Sequence, residues 1–185
     1  MSNPDPATCI AQTRAWVDAA VIGLNLCPFA KAVQVKGLLD YVVSQAATPE
    51  ALLADLCHEM LRLHHAPIES LESILLIHPG VLNDFSAYND FLDLADAALE
   101  ELALDGVLQI ASFHPDYRFA GTADDDITNA SNRSPWPTLH LLREASVERA
   151  VKAHPSADTI VDANLATLRA LGAEGWAALS RSWQR

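Results

Sequence analysis

Residues 73–78, Ser-Ile-Leu-Leu-Ile-His, form a short unbroken apolar run that stops at Pro79-Gly80. A strand wetted on one face alternates apolar and polar residues, whereas a run without alternation needs cover on both faces. The segment therefore predicts a central strand, and with it a sheet that carries helices on either side.

The flanking sequence supplies those helices. Phe91, Leu92, Ala95, Leu99 and Leu102 recur at helical spacing between about Ser86 and Asp105, with Gly106 as the expected C-cap residue. A further strand, Val107 to Phe113, then runs into His114-Pro115, repeating the His-Pro ending of the first. Upstream, Asp5-Pro6 opens a helix whose apolar positions reach Cys27-Pro28, and residues 38–44 read as a strand. Thr48-Pro49 caps a helix with a stripe of Leu52, Leu53, Leu56, Met60 and Leu63. Thr138 to Leu142 reads as a last short strand, followed by helices over 146–153 and 156–171 that Pro155 separates and Gly172 ends.

Strands alternating with helices predict an α/β chain, an α+β arrangement also being compatible. The expected sheet is mixed and largely parallel, with about four strands packed by helices in a ferredoxin-like or small doubly wound order, and its last strand can run antiparallel. Nothing reads as a linker, so residues 1–185 are expected to form a single domain with its core at about 7–172 and a tail at 173–185.

Charge narrows the partners. Twelve Lys/Arg against twenty-four Asp/Glu give a net charge of −12, which lacks the basic footprint of a nucleic-acid binder. No apolar run approaches the length of a membrane span, no secretion signal is visible, and three cysteines without a CxxC pair suggest reduced thiols, so a cytoplasmic location is expected. Four tryptophans and a high apolar fraction are compatible with a homodimer.

If the two His-Pro strands are parallel, His78 and His114 stand at the carboxyl edge of the sheet, where open α/β sheets bind ligands. The loop that follows His114 is too long to be a plain connection. It mixes Tyr117, Phe119 and Trp136 with Arg118, Thr122, Asp126, Asn129, Asn132, Arg133 and Ser134, a composition suited to an ordered lid or pocket wall. Arg118, Arg133 and Arg143 concentrate guanidinium groups in an acidic chain, which points to a carboxylate or phosphate ligand; ion pairing with Asp124, Asp125, Asp126 and Glu144 is the structural alternative.

The leading expectation is an enzyme acting on a small anionic metabolite by general acid/base chemistry. His114 would act as acid/base, Glu144 or Asp126 would assist, and Arg118, Arg133 and Arg143 would hold the anion, with Thr122, Asn132, Ser134, His140 and Cys27 completing the site. One alternative is a non-catalytic module that binds a ligand or a protein. A third reading is a metalloenzyme using His114, His140 and an aspartate, although no HExxH or HxH supports it. Cys27 follows an apolar helix C-terminus, a setting that favours a packed thiol over a nucleophile. No motif names a cofactor: Gly-rich phosphate loops and GxSxG elbows are both lacking.

Several stretches resemble the DUF1415 family of uncharacterised bacterial and plant proteins. They are Val21 to Ala30 (VIGLNLCPFA), Asn89 to Leu92, Gln109 to Thr122 (QIASFHPDYRFAGT) and Asn129 to Glu144 (NASNRSPWPTLHLLRE). The similarity spans Trp16 to about Gly172, and Trp136 stands where the family more often carries tyrosine. The resemblance implies that Cys27, His114, Asn132, Arg133, Ser134, His140, Arg143 and Glu144 occupy family motif positions. It implies no activity, substrate or cofactor.

Overall fold

The structure is a computed structural model that describes residues 4–153 and 159–184. The break expected at Pro155 and the helix start expected at Ser156 lie outside these residues. Four strands build one mixed, partly parallel sheet: β1 (Leu39–Val43), β2 (Ser73–Ile77), β3 (Leu108–Phe113) and β4 (Thr138–Arg143). Their spatial order is β1-β2-β4-β3. β1 and β2 pair in parallel, while β4 runs antiparallel to both β2 and β3. Strands β2 and β3 thus point the same way, as the His-Pro reading requires, but β4 is inserted between them.

Local chemistry fixes where the helices begin. In α1 (Pro6–Trp16) the Asp5 carboxylate accepts from the Thr8 amide at 3.2 Å, in α3 (Pro49–His65) the Thr48 hydroxyl accepts from Ala51 at 3.3 Å, and in α4 (Phe85–Glu101) Asp84 accepts from Ala87 at 3.0 Å. Each cap satisfies an amide that has no carbonyl within its helix and is worth about 1 kcal/mol. Helix α4 ends four residues before the expected Asp105, because Ala103 takes a left-handed backbone (φ 53°) and lets the Leu104 amide reach the Leu99 carbonyl at 2.9 Å. Gly106, the expected C-cap residue, serves instead in the turn into β3, at φ 71°.

All five residues of β2 are buried, which explains the unbroken apolar run. Helices α3 and α4 cover one face, where Leu52, Leu56, Met60, Leu63, Phe91 and Ala95 pack on Ile74, Leu76, Leu139 and Leu141. The other face packs Leu75 and Ile77 against Cys9, Trp16, Val17 and Ala20, and the C-terminal Trp183 joins them. Burying a leucine or methionine side chain contributes about 1.5–3 kcal/mol, so the four-residue stripe of α3 alone anchors that helix.

Two short helices were not expected: α2 (Ala30–Val35) and a 3-10 turn within the long loop (Ile127–Asn132). The first helix does run on beyond Trp16, but as a π-helix, Val17–Ile22, closed by a Gly23 amide that reaches the Asp18 carbonyl at 3.0 Å. Helix α5 (Glu144–Ala153) follows β4 directly. Helix α6 (Ile160–Ser180) is kinked where Gly172 takes φ 68°, the residue at which sequence predicts a stop.

Candidate functional site

The carboxyl ends of β2 and β3 bring His78 and His114 against one aromatic ring. Tyr88 of α4 stacks on His78 (centroids 5.7 Å apart) and lies 5.1 Å from His114. Its hydroxyl accepts from the Phe113 amide at 3.0 Å and donates to the Thr138 carbonyl at 2.9 Å, so it bridges β3 and β4 where both meet the loop.

Both histidines are fully buried, and each holds a neighbouring carbonyl of the loop that enters α4. The His78 Nδ1–H donates to Val81 O at 3.1 Å, and the His114 Nε2–H donates to Leu82 O at 3.2 Å. Leu82 sits at φ 56°, a conformation that costs a branched residue about 1 kcal/mol or more. The two imidazoles therefore act as clamps on a strained turn. The second nitrogen of His114, Nδ1, accepts from the Asp116 amide at 3.0 Å, so both of its nitrogens are engaged and the neutral Nε2–H tautomer satisfies both partners. Burial lowers the pKa of His114, against the raising influence of the Leu82 bond and of Asp116 and Asp84. Burial pushes His78 down to about 4, and its Nε2 has no hydrogen-bond partner.

The polar residues of the 114–137 loop are spent largely on the loop itself. Buried Asn129 accepts from the Phe119 amide (3.1 Å) and the Thr122 hydroxyl (2.8 Å) and donates to Ala123 O (2.9 Å). Arg133 donates to the carbonyls of Tyr117 (3.1 Å) and Asp124 (2.6 Å). Asp126 caps the 3-10 turn by accepting from the amide and hydroxyl of Thr128, bonds that also lower its pKa. Asn132 reaches back to Ser112 O at 3.1 Å, and Ser134 donates to Trp136 O at 2.6 Å. The loop is thus ordered by its own side chains, as a wall should be.

That wall faces the first turn of α4 across an open cleft of about 820 Å3. Arg118, Phe119, Thr122 and Asp124 line one side together with Asp116, and Asp84, Phe85, Ser86 and Asn89 line the other. The rings of Phe85, Tyr117 and Phe119 form a continuous row, with centroids 5.2 and 5.0 Å apart. Arg118 pairs with Asp124, both largely exposed. Sequence reasoning missed the α4 half of this cleft. Its signal was available in Asp84, a helix cap a few residues beyond a strand end.

The remaining expected residues lie elsewhere. β4 enters beside His78 and leaves at the amino edge of β2, so Arg143 and Glu144 stand about 17 Å from the cleft edge, five residues along a strand. Arg143 donates there to the carbonyls of Leu63 and Ala66 (2.6 Å each) and of Leu71 (3.2 Å), closing the C-terminal end of α3. His140 projects to the opposite face of the sheet from His114, against Phe113, with its Nε2 buried and unpartnered; burial pushes its pKa down to about 4. The two imidazoles cannot share a metal, and among the described residues no three His, Cys, Asp or Glu side chains are grouped to hold one. Cys27 is a free, half-buried thiol that does not line the cleft; its neighbour Leu26 packs on Ala130 of the 3-10 turn.

No helix among the described residues is long and apolar enough to cross a membrane. No curated protein and no solved structure matches the chain. The signature that runs from the π-helix through the His-Pro strand end to β4 does have a counterpart, in a family model that matches residues 8–178, and the chain belongs to that family, described as "Protein of unknown function (DUF1415)".

Proposed function

We propose that the chain binds a small organic cation in the cleft between α4 and the 116–124 wall, without covalent chemistry. The lining carries the reading: Asp84, Asp116 and Asp124 oppose a single guanidinium, Arg118, beside the rings of Phe85 and Phe119. An ammonium group gains from carboxylates and from aromatic faces, by about 0.5–2 kcal/mol per ring contact. Phe119 is 37 % exposed, a large apolar surface kept available at a polar mouth.

Heteronuclear NMR with choline and putrescine as probes, set against citrate and inorganic phosphate, tests this. The amines are expected to shift the amides of residues 84–89 and 116–124, and Phe119→Ala and Asp116→Asn to weaken binding several-fold with the fold intact. Shifts elsewhere on the chain, or none in this cleft, would overturn the reading.

A second reading keeps an anionic metabolite as the ligand of an enzyme, and Arg118 favours it. Its pair with Asp124 is exposed on both sides, so opening it for a carboxylate or phosphate costs about 1 kcal/mol or less. In that case citrate or phosphate, not the amines, shifts the cleft amides. Acid/base work by His114 then requires it to release Asp116 or Leu82 first, because both nitrogens are engaged.

A further inference from the structure

We propose that His114 and Asp116 form a proton switch at the mouth of the cleft: protonation at Nδ1 breaks the tie to the Asp116 amide and turns the Asp116 carboxylate onto the imidazolium, withdrawing one negative charge from the lining. The hydrogen bonds of the ring carry the proposal. In the neutral ring Nε2–H donates to Leu82 O at 3.2 Å and Nδ1 accepts from Asp116 N at 3.0 Å. A proton arriving at Nδ1 makes both nitrogens donors, so Nδ1–H meets the Asp116 N–H while the Leu82 bond survives. The new Nδ1–H needs an acceptor, and the exposed Asp116 carboxylate lies on the same short turn whose amide has just been released.

The groups around the ring set the direction. Asp116 on the loop and Asp84 at the start of α4 both favour the charged form, and burial opposes it. Tyr88 and Phe85 of α4 pack against the ring, Tyr117 packs on Phe85, and His78 at the end of β2, which stacks on Tyr88, is kept neutral by its burial, a charge on His114 opposing its protonation further and the Val81 bond only partly offsetting both. Beyond Asp116, the wall remains fixed to the 3-10 turn, Arg133 holding the Tyr117 carbonyl and Asn129 the Phe119 amide, which confines the rearrangement to residues 115–116. The switch operates below the ordinary imidazole range, since the net shift of His114 is downward.

The deduction that cation affinity follows the switch rests on the function proposed above; the switch itself does not. Its test is therefore made without ligand, by 15N NMR of the His114 ring and amide exchange of Asp116 between pH 7.5 and 5. The neutral ring is expected as the Nε2–H tautomer, and the Asp116 amide is expected to exchange at least tenfold faster, after correction for intrinsic rates, in step with ring protonation. A ring that protonates while the Asp116 amide stays protected overturns the proposal, as does an Nδ1–H tautomer at neutral pH. His114→Gln, which cannot titrate, should abolish the step. Asp116→Asn, on the surface and harmless to folding, should lower the His114 titration midpoint by at least half a pH unit, and an unmoved midpoint likewise refutes the carboxylate's part. Choline titrated at pH 7.5 and 5.5 then separates the two ideas: absent binding at both values sinks the ligand reading and leaves the switch standing.

Discussion

Arg143→Met separates a structural guanidinium from a ligand-binding one. The substitution keeps most of the stem and removes the donors that reach Leu63 O and Ala66 O at 2.6 Å and Leu71 O at 3.2 Å. Two short bonds from a charged donor contribute about 1.5 kcal/mol each at the low end suited to a half-buried group, and the cation at the end of α3 adds about 0.5 kcal/mol through the helix dipole. The expected cost is about 3–4 kcal/mol, a factor of roughly 10²–10³ in the folding equilibrium. With a urea dependence of about 2 kcal/mol per molar, the unfolding midpoint should fall by about 1.5–2 M, read from tryptophan fluorescence. Lysine, a single flexible point charge, should recover about half of that loss. A Met variant within about 1 kcal/mol of the parent would refute the clamp and return Arg143 to the list of groups awaiting an external anion.

Acid should weaken the fold well above the carboxylate range. His78 and His140 are held neutral with pKa near 4 in the folded chain, so their contribution is complete above the unfolded value of about 6.5 and is lost as pH falls toward 4, at about 1.4 kcal/mol per pH unit for each. Urea midpoints measured from pH 7 to 4.5 should fall steadily, and His140→Phe should flatten part of the slope; a pH-independent midpoint contradicts the burial argument. Tyr88→Phe strips the hydroxyl that joins Phe113 N to Thr138 O and should cost about 2–4 kcal/mol by leaving two buried backbone groups unpaired, which thermal unfolding would register. Gly23→Ala should destabilise by about 1–3 kcal/mol, because its Cβ would stand 2.2 Å from the Ala19 carbonyl in the π-turn; an unchanged melting temperature would mean the π-turn relaxes into an α-helix.

Element order was legible because it depends on local patterns. The apolar run at 73–77, the Thr48-Pro49 and Asp5-Pro6 caps and the paired His-Pro endings each state their own conformation. The insertion of β4 between β2 and β3 was not, since pairing partners are chosen over sixty residues of chain and leave no periodic trace. Side-chain targets were legible only in part. That Arg133 and Arg143 meet backbone carbonyls and not carboxylates follows from where loop 115–132 and the end of α3 happen to lie, which no spacing encodes. His78 and His114 stood out correctly as strand-end residues. Their use as carbonyl clamps depended on Leu82, whose left-handed backbone a leucine does not announce.

The place of β4 also governs how the chain can be built during synthesis. Its antiparallel partners on either side are Ser73–Ile77 and Leu108–Phe113, so until residue 143 has emerged β2 lacks one neighbour and β3 lacks its sheet altogether. Apolar strand edges left open in this way recruit other chains. A nascent or truncated product ending before Thr138 should therefore be the aggregation-prone form, and folding should await the closing of a long-range pairing, slow for a chain of this length.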